Sequence, residues 1–430
     1  MTAVLVMRRV PIMTETQHPF DGHAMEKTVP ALMRSSGQFT QRQVVPFLIG
    51  LAIVMAIFLA ITLLWAIPRG FIFDFDFQSM YTGGYLERTN PSELFSLAAQ
   101  REVQRHATFA TGEPLPFIHP AYEALLFVPF SMLSYTGAYT AFLLFNGLLT
   151  AACVLAGWEL FSEKISIIQP STGLMLFFFF PLYIAILQGQ DSILFLLMVL
   201  LAWREMEQAR LRTAGIILAI ALIKPQIILP LTVLLTIRYG RRLAEGFTAG
   251  TAGVVLLNYI SSPGGAERFL QLIRNSAGRH AGGAWYVRPL VMANLRGVAF
   301  AVFEKHLSEQ EQLWIVGAAS AVLLTVVAFC MRRVRSEQLT FAVALLTCLL
   351  ISYHLYPHDL TILAIPILAI AKEMHAWKKV LIVLLYVSPL AFFLIGSQVF
   401  YLTAVSLMIA LVALLAGAER KLLAIPAGAA

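Results

Sequence analysis

"FLIGLAIVMAIFLAITLLWAI", residues 47–67, is an unbroken apolar run without a single charged side chain. A bilayer's hydrocarbon core is about 30 Å thick, and a helix of about 20 such residues crosses it. In lipid every backbone amide must be satisfied internally, so only helices and closed barrels can span. A barrel strand alternates apolar and polar residues over about ten positions, and this run does not alternate. The reading is helical. Composition carries it to the rest of the chain: of 430 residues, 59% are hydrophobic and 13% charged, and the mean hydropathy is +0.76. No soluble core requires that much apolar residue. The sequence predicts an all-α polytopic membrane protein.

Further apolar segments fall near residues 119–135, 139–161, 168–187, 191–203, 213–237, 243–262, 311–331, 338–354, 358–371, 378–396 and 398–418. With the first they give about 11–12 transmembrane or half-spanning helices, several of them short or broken by proline. Lys and Arg collect between these runs: Arg8, Arg9 and Arg42; Arg238, Arg241 and Arg242; Arg332, Arg333 and Arg335; Lys372, Lys378 and Lys379; Arg420 and Lys421. Under the positive-inside rule these anchors put both termini in the cytoplasm of an inner (plasma) membrane. The net charge of +7 is therefore assigned to topology and membrane lipids. Nucleic acid is not an expected partner, since no basic face lies on a soluble domain. The cluster Arg204, Arg210 and Arg212 conflicts with the one at 238–242 if 213–237 is a single span. "ALIKPQ" (221–226) in its middle suggests a broken helix that could turn back.

The expected organisation has three parts. Residues 1–45 are polar, without helical period, and read as a disordered cytoplasmic tail; they lack the apolar stretch of a cleavable leader. Residues 46–420 form the transmembrane domain, and 421–430 a cytoplasmic C-terminal tail. Within the domain, 68–119 is a long first outer loop with six acids against four arginines. Its "PSELFSLAAQREVQRH" (91–106) has a Ser at a cap position and apolar residues at helical spacing, an interfacial helix. A second outer loop covers 263–310. Cys153, Cys330 and Cys348 all lie in apolar runs and read as small packing residues.

Ionisable side chains at membrane depth are costly and tend to be functional or paired. The chain has few: Asp74, Asp76, Asp191, Lys224, His354, His358 and Asp359. In "FDFDF" (73–77) a carboxylate could act as general base toward a hydroxyl acceptor; the plainer readings are a loop acid or a cap for a helix through "QSMYTGGYL". Asp76 is favoured because it abuts Tyr81 and a glycine pair read as a sharp turn; Asp74 and Tyr81 are helpers. His119 opens an apolar helix behind "PLPFI". "LQGQDSILF" (187–195) is a tight hairpin or a polar ledge for a sugar or phosphate. Lys224 cannot reach water easily, so it needs an anion, either a lipid-linked phosphate or an internal carboxylate. "SYHLYPHDL" (352–360) is dense in His, Tyr and Asp; Pro357 interrupts the helix that would align His354 and His358 on a metal. "AWYVRPLVMANLRG" (284–297) offers Arg288, Asn294 and Arg296 with aromatics, a combination suited to sugars and phosphates.

The order "DFQSMYTGG", "PFIHPAYEALLFVPFSML", "LQGQDSILFLLMVLL", "AGIILAIALIKPQIILPL", "NLRG" and "YHLYPHDLTILAIPIL" resembles glycosyltransferase family 87, the former DUF2029 group of the GT-C superfamily, over about residues 46–370. The resemblance implies a GT-C helical bundle with its active site at the outer membrane face. It implies transfer of a hexose or pentose, mannose-like favoured, from a polyprenyl-phosphate donor to a lipid or glycan acceptor, with inversion. It places the catalytic base on Asp76, a donor-phosphate contact on Lys224, the Gly-Gln turn on Gly189 and Gln190, and a late His/Asp element on His354 and Asp359. His119 and Arg288 join the substrate contacts. The chain departs from the family's Tyr-Pro-Pro at "IHPAY", and carries Asp191 where an apolar residue is usual. Lipid-phosphate donors lack the diphosphate that makes a metal obligatory, so no cofactor or metal is expected. A transporter or flippase of polyprenyl-linked glycans is the alternative, since broken helices and buried charge also suit transport.

Overall fold

The structure is a computed structural model that describes residues 75–107, 115–161, 179–276, 289–332, 334, 336–371, 376–396 and 399–423, with isolated positions between 50 and 65. The chain divides into Met1–Phe47 and Leu48–Ala430, and every described residue belongs to the second unit. The expected tail at 1–45, Asp74 and Arg288 lie outside the described residues.

The protein is all-helical, with no strand among the described residues. Among the described residues four helical stretches are long and apolar enough to cross a membrane: Tyr135–Gly157, Arg241–Ser261, Glu309–Met331 and Trp377–Leu394. Shorter apolar helices run over Leu211–Ile223, Pro225–Tyr239, Glu337–Ile351, Pro357–Ala371 and Tyr401–Gly417. Arg241–Ser261 and Glu309–Met331 leave most of their apolar side chains exposed. Such surface is stable in hydrocarbon and would be a liability in water.

Between the first apolar run and the long helix α4 (Tyr135–Phe161) the chain folds into three helices, α1 (Phe77–Thr89), α2 (Leu97–Ala107) and α3 (Ala121–Phe127). They are held by an aromatic core: Phe77, Tyr81, Phe95, Phe117 and Phe127 pack with Tyr139 and Phe142 of α4. Two buried glutamines of α2 fasten the returning strand of chain. Gln100 accepts from Phe117 N at 2.8 Å, and Gln104 donates to Leu115 O at 2.6 Å while accepting from Leu115 N at 2.9 Å. Ser96 accepts from Ala99 N at the start of α2.

One expectation needs correction. The Gly83–Gly84 pair is not a turn; it lies inside α1. A Cβ on Gly83 would sit 2.6 Å from the Phe117 ring, and one on Gly84 would sit 2.4 Å from the Phe127 carbonyl. The glycines let α1 and α3 approach closely, a use of small residues that sequence spacing does not separate from turning.

The parity conflict also resolves. Helix α6 (Ser192–Glu207) leads to α7 (Leu211–Ile220), a 3-10 turn at Ala221–Ile223, and α8 (Pro225–Tyr239), followed by α9 (Arg241–Ser261). Pro225 takes the first position of α8, where its missing N–H costs nothing. At one end Arg212 and Arg241 both pair with Glu245, at 2.8 Å. There too Arg238 meets Glu337 at 2.6 Å, and Gln338 donates to Glu207 at 3.3 Å. At the other end Lys224 meets Asp191, the residue before α6. The chain therefore runs to Lys224 along α7 and returns along α8, and both arginine clusters lie together.

Candidate active site

Asp76 occupies the N-cap position of α1 with φ −59° and ψ −21° and makes no capping hydrogen bond. Its Oδ2 instead accepts from Gln190 Nε2 at 2.7 Å, a partner 114 residues away. Gln190 follows Gly189, which ends helix α5 (Phe180–Gln188) with φ +66°. The backbone N–H groups of Gly189 and Gln190 close on Ile186 O and Ala185 O, so the hairpin is satisfied by main chain. That leaves the Gln190 side chain for Asp76.

Asp191 stands at the N-cap of α6, again with no capping bond. Its Oδ1 lies 3.2 Å from Lys224 Nζ, and Asp359 Oδ1 lies 2.8 Å from the same ammonium. Asp191, Asp359 and Lys224 are 0%, 1% and 5% exposed. Burial on this scale demands pairing, because an isolated charge there would lose its hydration uncompensated. Asp359 is fixed from below: its Oδ2 accepts from Tyr356 N at 3.0 Å, where Pro357 starts a 3-10 helix (Pro357–Leu363).

The two late histidines take separate partners. His358 Nδ1 donates to Gln188 Oε1 at 2.9 Å, and Gln226 Nε2 donates to His354 Nε2 at 3.1 Å. The "NLRG" segment clamps this stretch. Asn294 caps α10 (Leu295–Phe303) through Gly297 N and donates to Ser352 O at 2.7 Å. Ala293 N donates to Leu355 O. The Arg296 guanidinium lies 4.4 Å over the Tyr353 ring and pairs with Glu309 at 3.2 Å.

His119 Nδ1 lies 3.0 Å from Glu123 Oε1 and 3.1 Å from Oε2. Tyr122 holds this helix start in place, its N–H donating to Asn258 Oδ1 and its hydroxyl to Ile220 O, both at 3.0 Å. His119, Glu123 and Asp191 each bring a ligand-type atom within 4.8 Å of the others. A small, mainly apolar cavity of about 30 Å³ lies nearby, lined among others by Thr150, Cys153, Phe179, Leu196, Thr361 and Leu368. Thr361 donates to Ser192 O at 3.3 Å, which joins the cavity to the residues beside Asp359 and Asp191.

The structure thus brings Asp76, His119, Gln190, Lys224, His354 and Asp359 into one neighbourhood. Tyr81 stands apart in function: its hydroxyl donates to Leu133 O at 2.9 Å, and its ring packs against Tyr135. Sequence reasoning missed Glu123 and Gln226. The i,i+4 spacing of His119 and Glu123 in "HPAYE" was a usable signal.

The family model of glycosyltransferase family 87 matches residues 117–355, more than half of the chain. The match spans His119 to His354 and leaves Asp76, His358 and Asp359 outside it. No curated protein and no solved structure matches the chain.

Proposed function

The chain belongs to glycosyltransferase family 87, and from that premise we propose the reaction its site performs. Membership makes it a membrane glycosyltransferase. The finer reading is transfer of a hexose or pentose, mannose-like favoured, from a polyprenyl-phosphate donor to a lipid or glycan hydroxyl. Asp76 takes the proton of that hydroxyl as its oxygen bonds to the sugar C1, on the face opposite the phosphate. The C1–O bond to phosphate breaks, its electron pair leaves with the polyprenyl phosphate, and the anomeric configuration inverts. No step calls for an organic cofactor.

The observation that carries this reading is the Asp76 carboxylate. It forgoes the local cap open to it and is held by Gln190, whose neighbour in sequence, Asp191, pairs with the buried Lys224. A general base must be oriented and must sit near the leaving group's counter-charge. Lys224 has three N–H donors; Asp191 and Asp359 orient the ammonium, and a phosphate oxygen is the third acceptor. His119, His354, Asp359 and Arg288 are the further substrate contacts of this reading.

Placement of the site at the outer face has its own support. Along helix α8, Arg238 at the basic end lies 14 residues beyond Lys224, about 21 Å at 1.5 Å per residue. Arginine-rich ends face the cytoplasm.

The test is direct. Purified protein in detergent is incubated with a panel of polyprenyl-phosphate sugars, alongside Asp76→Asn and Lys224→Ala. Donor consumption by the wild type and its loss in both variants is the expected result. No consumption of any donor, or an Asn variant as fast as wild type, would sink the reading.

A further inference from the structure

We infer that His119, Glu123 and Asp191 form a binding site for a first-row divalent cation, Mn²⁺ or Zn²⁺, beside the Lys224 ion pairs. The argument begins with charge. Three carboxylates are buried in contact with one ammonium and its surroundings: Glu123 at 2% exposure, Asp191 at 0% and Asp359 at 1%. With His119 neutral, as a metal ligand must be, and the three carboxylates ionised, Lys224 balances one of them. Two negative charges remain in a volume with little access to water, where unbalanced charge is expensive. One dication closes the balance.

Geometry points to where that dication sits. Both Asp191 oxygens and Glu123 Oε1 are buried without a hydrogen-bond donor among the described residues, the ion pairs to Lys224 and His119 aside. Asp191 is fully buried and starts a helix it does not cap. Asp191, His119 and Glu123 each bring one ligand-type atom to within 4.8 Å of the others. An imidazole with two carboxylates suits Mn²⁺ or Zn²⁺ better than Mg²⁺ or Ca²⁺, which prefer all-oxygen shells. Three protein ligands also leave open positions, the arrangement of catalytic rather than structural metal sites.

The consequence bears on donor binding. Lys224 is already outnumbered by its own carboxylates, so an anionic phosphate arriving there meets net negative charge. A dication at Asp191 removes that net negative charge. The inference departs from the expectation of a metal-independent site, which rested on the donor's lack of a diphosphate. It concerns the charge of the protein alone and does not rest on donor identity.

The test reads metal directly, without any sugar donor. Full-length protein, freed of its affinity tag and stripped with EDTA, is titrated separately with MnCl₂ and ZnCl₂. Bound metal is counted by mass spectrometry after desalting. Wild type should retain one equivalent of one of these ions per chain and melt at a higher temperature with it. Glu123→Gln and His119→Ala should bind at least tenfold more weakly, and Asp76→Asn should bind like wild type. Should Glu123→Gln fail to fold, His119→Ala supplies the comparison, since its side chain is the most exposed of the three. Wild-type protein that retains neither ion, or variants that retain a full equivalent, would overturn the site. Protons shared between Glu123 and His119 would then carry the excess charge. Failure of the donor reading would leave metal retention unchanged, so the two ideas fall separately.

Discussion

Gln190 holds Asp76 across 114 residues of sequence, its amide donating to Oδ2 at 2.7 Å. Each residue declines a nearer role. Asp76 stands at a helix N-cap and does not cap, and the Gln190 side chain leaves the closing of its own hairpin to backbone N–H groups. The pair joins the start of α1 to the α5–α6 hairpin and fixes which way the carboxylate points.

Two substitutions separate the roles of the pair. Asp76→Asn should lower kcat by roughly 10²–10⁴-fold with little change in KM, the usual worth of a general base. Gln190→Ala should cost on the order of 10–10² in kcat, because a misdirected base loses rate steeply. Gln190→Glu gives a sharper readout. It sets a second carboxylate against Asp76, which disfavours the ionised base and moves the acid limb of the kcat profile to higher pH. An unmoved pH profile would mean that Gln190 only packs.

Lys224 is the electrostatic keystone of the cluster, between Asp359 at 2.8 Å and Asp191 at 3.2 Å. Lys224→Met leaves two buried carboxylates without their cation and should destabilise the fold by roughly 3–5 kcal/mol. Adding Asp359→Asn to the same chain should restore part of that loss. Thermal unfolding in detergent compares the three proteins. Equal melting of single and double variants would show that the ion pair is not what Lys224 contributes.

Local features of this site were legible before the fold was known. Lys224 before Pro225 announced a broken helix, and the break is where α7 gives way to α8. The acid of "DFQ" and the late His-Asp pair also stood out from their apolar surroundings. Pairings were not legible. Asp191 with Lys224, Gln188 with His358 and Gln190 with Asp76 are set by how helices pack, and sequence period carries no information about partners so far apart. Lys224 had two readings, phosphate or internal carboxylate, and the internal pairs are present. The glycine pair at 83 and 84 was misread because a glycine needed for close approach looks like one needed for a turn.

Gly189 should tolerate no side chain. Its φ of +66° lies in the left-handed region, and a Cβ would sit 2.7 Å from Phe77 Cβ. Gly189→Ala incurs about 1–2 kcal/mol of backbone strain and about 1–3 kcal/mol of overpacking. The relaxation would push Phe77 and the α5–α6 hairpin apart, and with them Asp76 and Gln190. Activity should therefore fall further than the melting temperature alone explains. Wild-type kcat in Gly189→Ala would show that the contact between hairpin and α1 is not needed for the base.

Glu87 gives a pH prediction away from the membrane helices. It lies on α1, 7% exposed, and its Oε2 has no hydrogen-bond partner among the described residues. Burial pushes its carboxyl from 4.5 up to about 7, with a hydrogen bond from Ser261 pulling the other way. The folded state then holds a proton that the unfolded state releases. Between those two values the unfolded chain binds fewer protons, so stability falls as pH rises through the window and levels off above it. Glu87→Gln cannot ionise and should remove that slope. It should match wild type near pH 4.5 and exceed it near pH 8 by on the order of 1–2 kcal/mol. Melting curves across that range decide it: parallel curves for the two proteins would mean that Glu87 ionises as easily folded as unfolded.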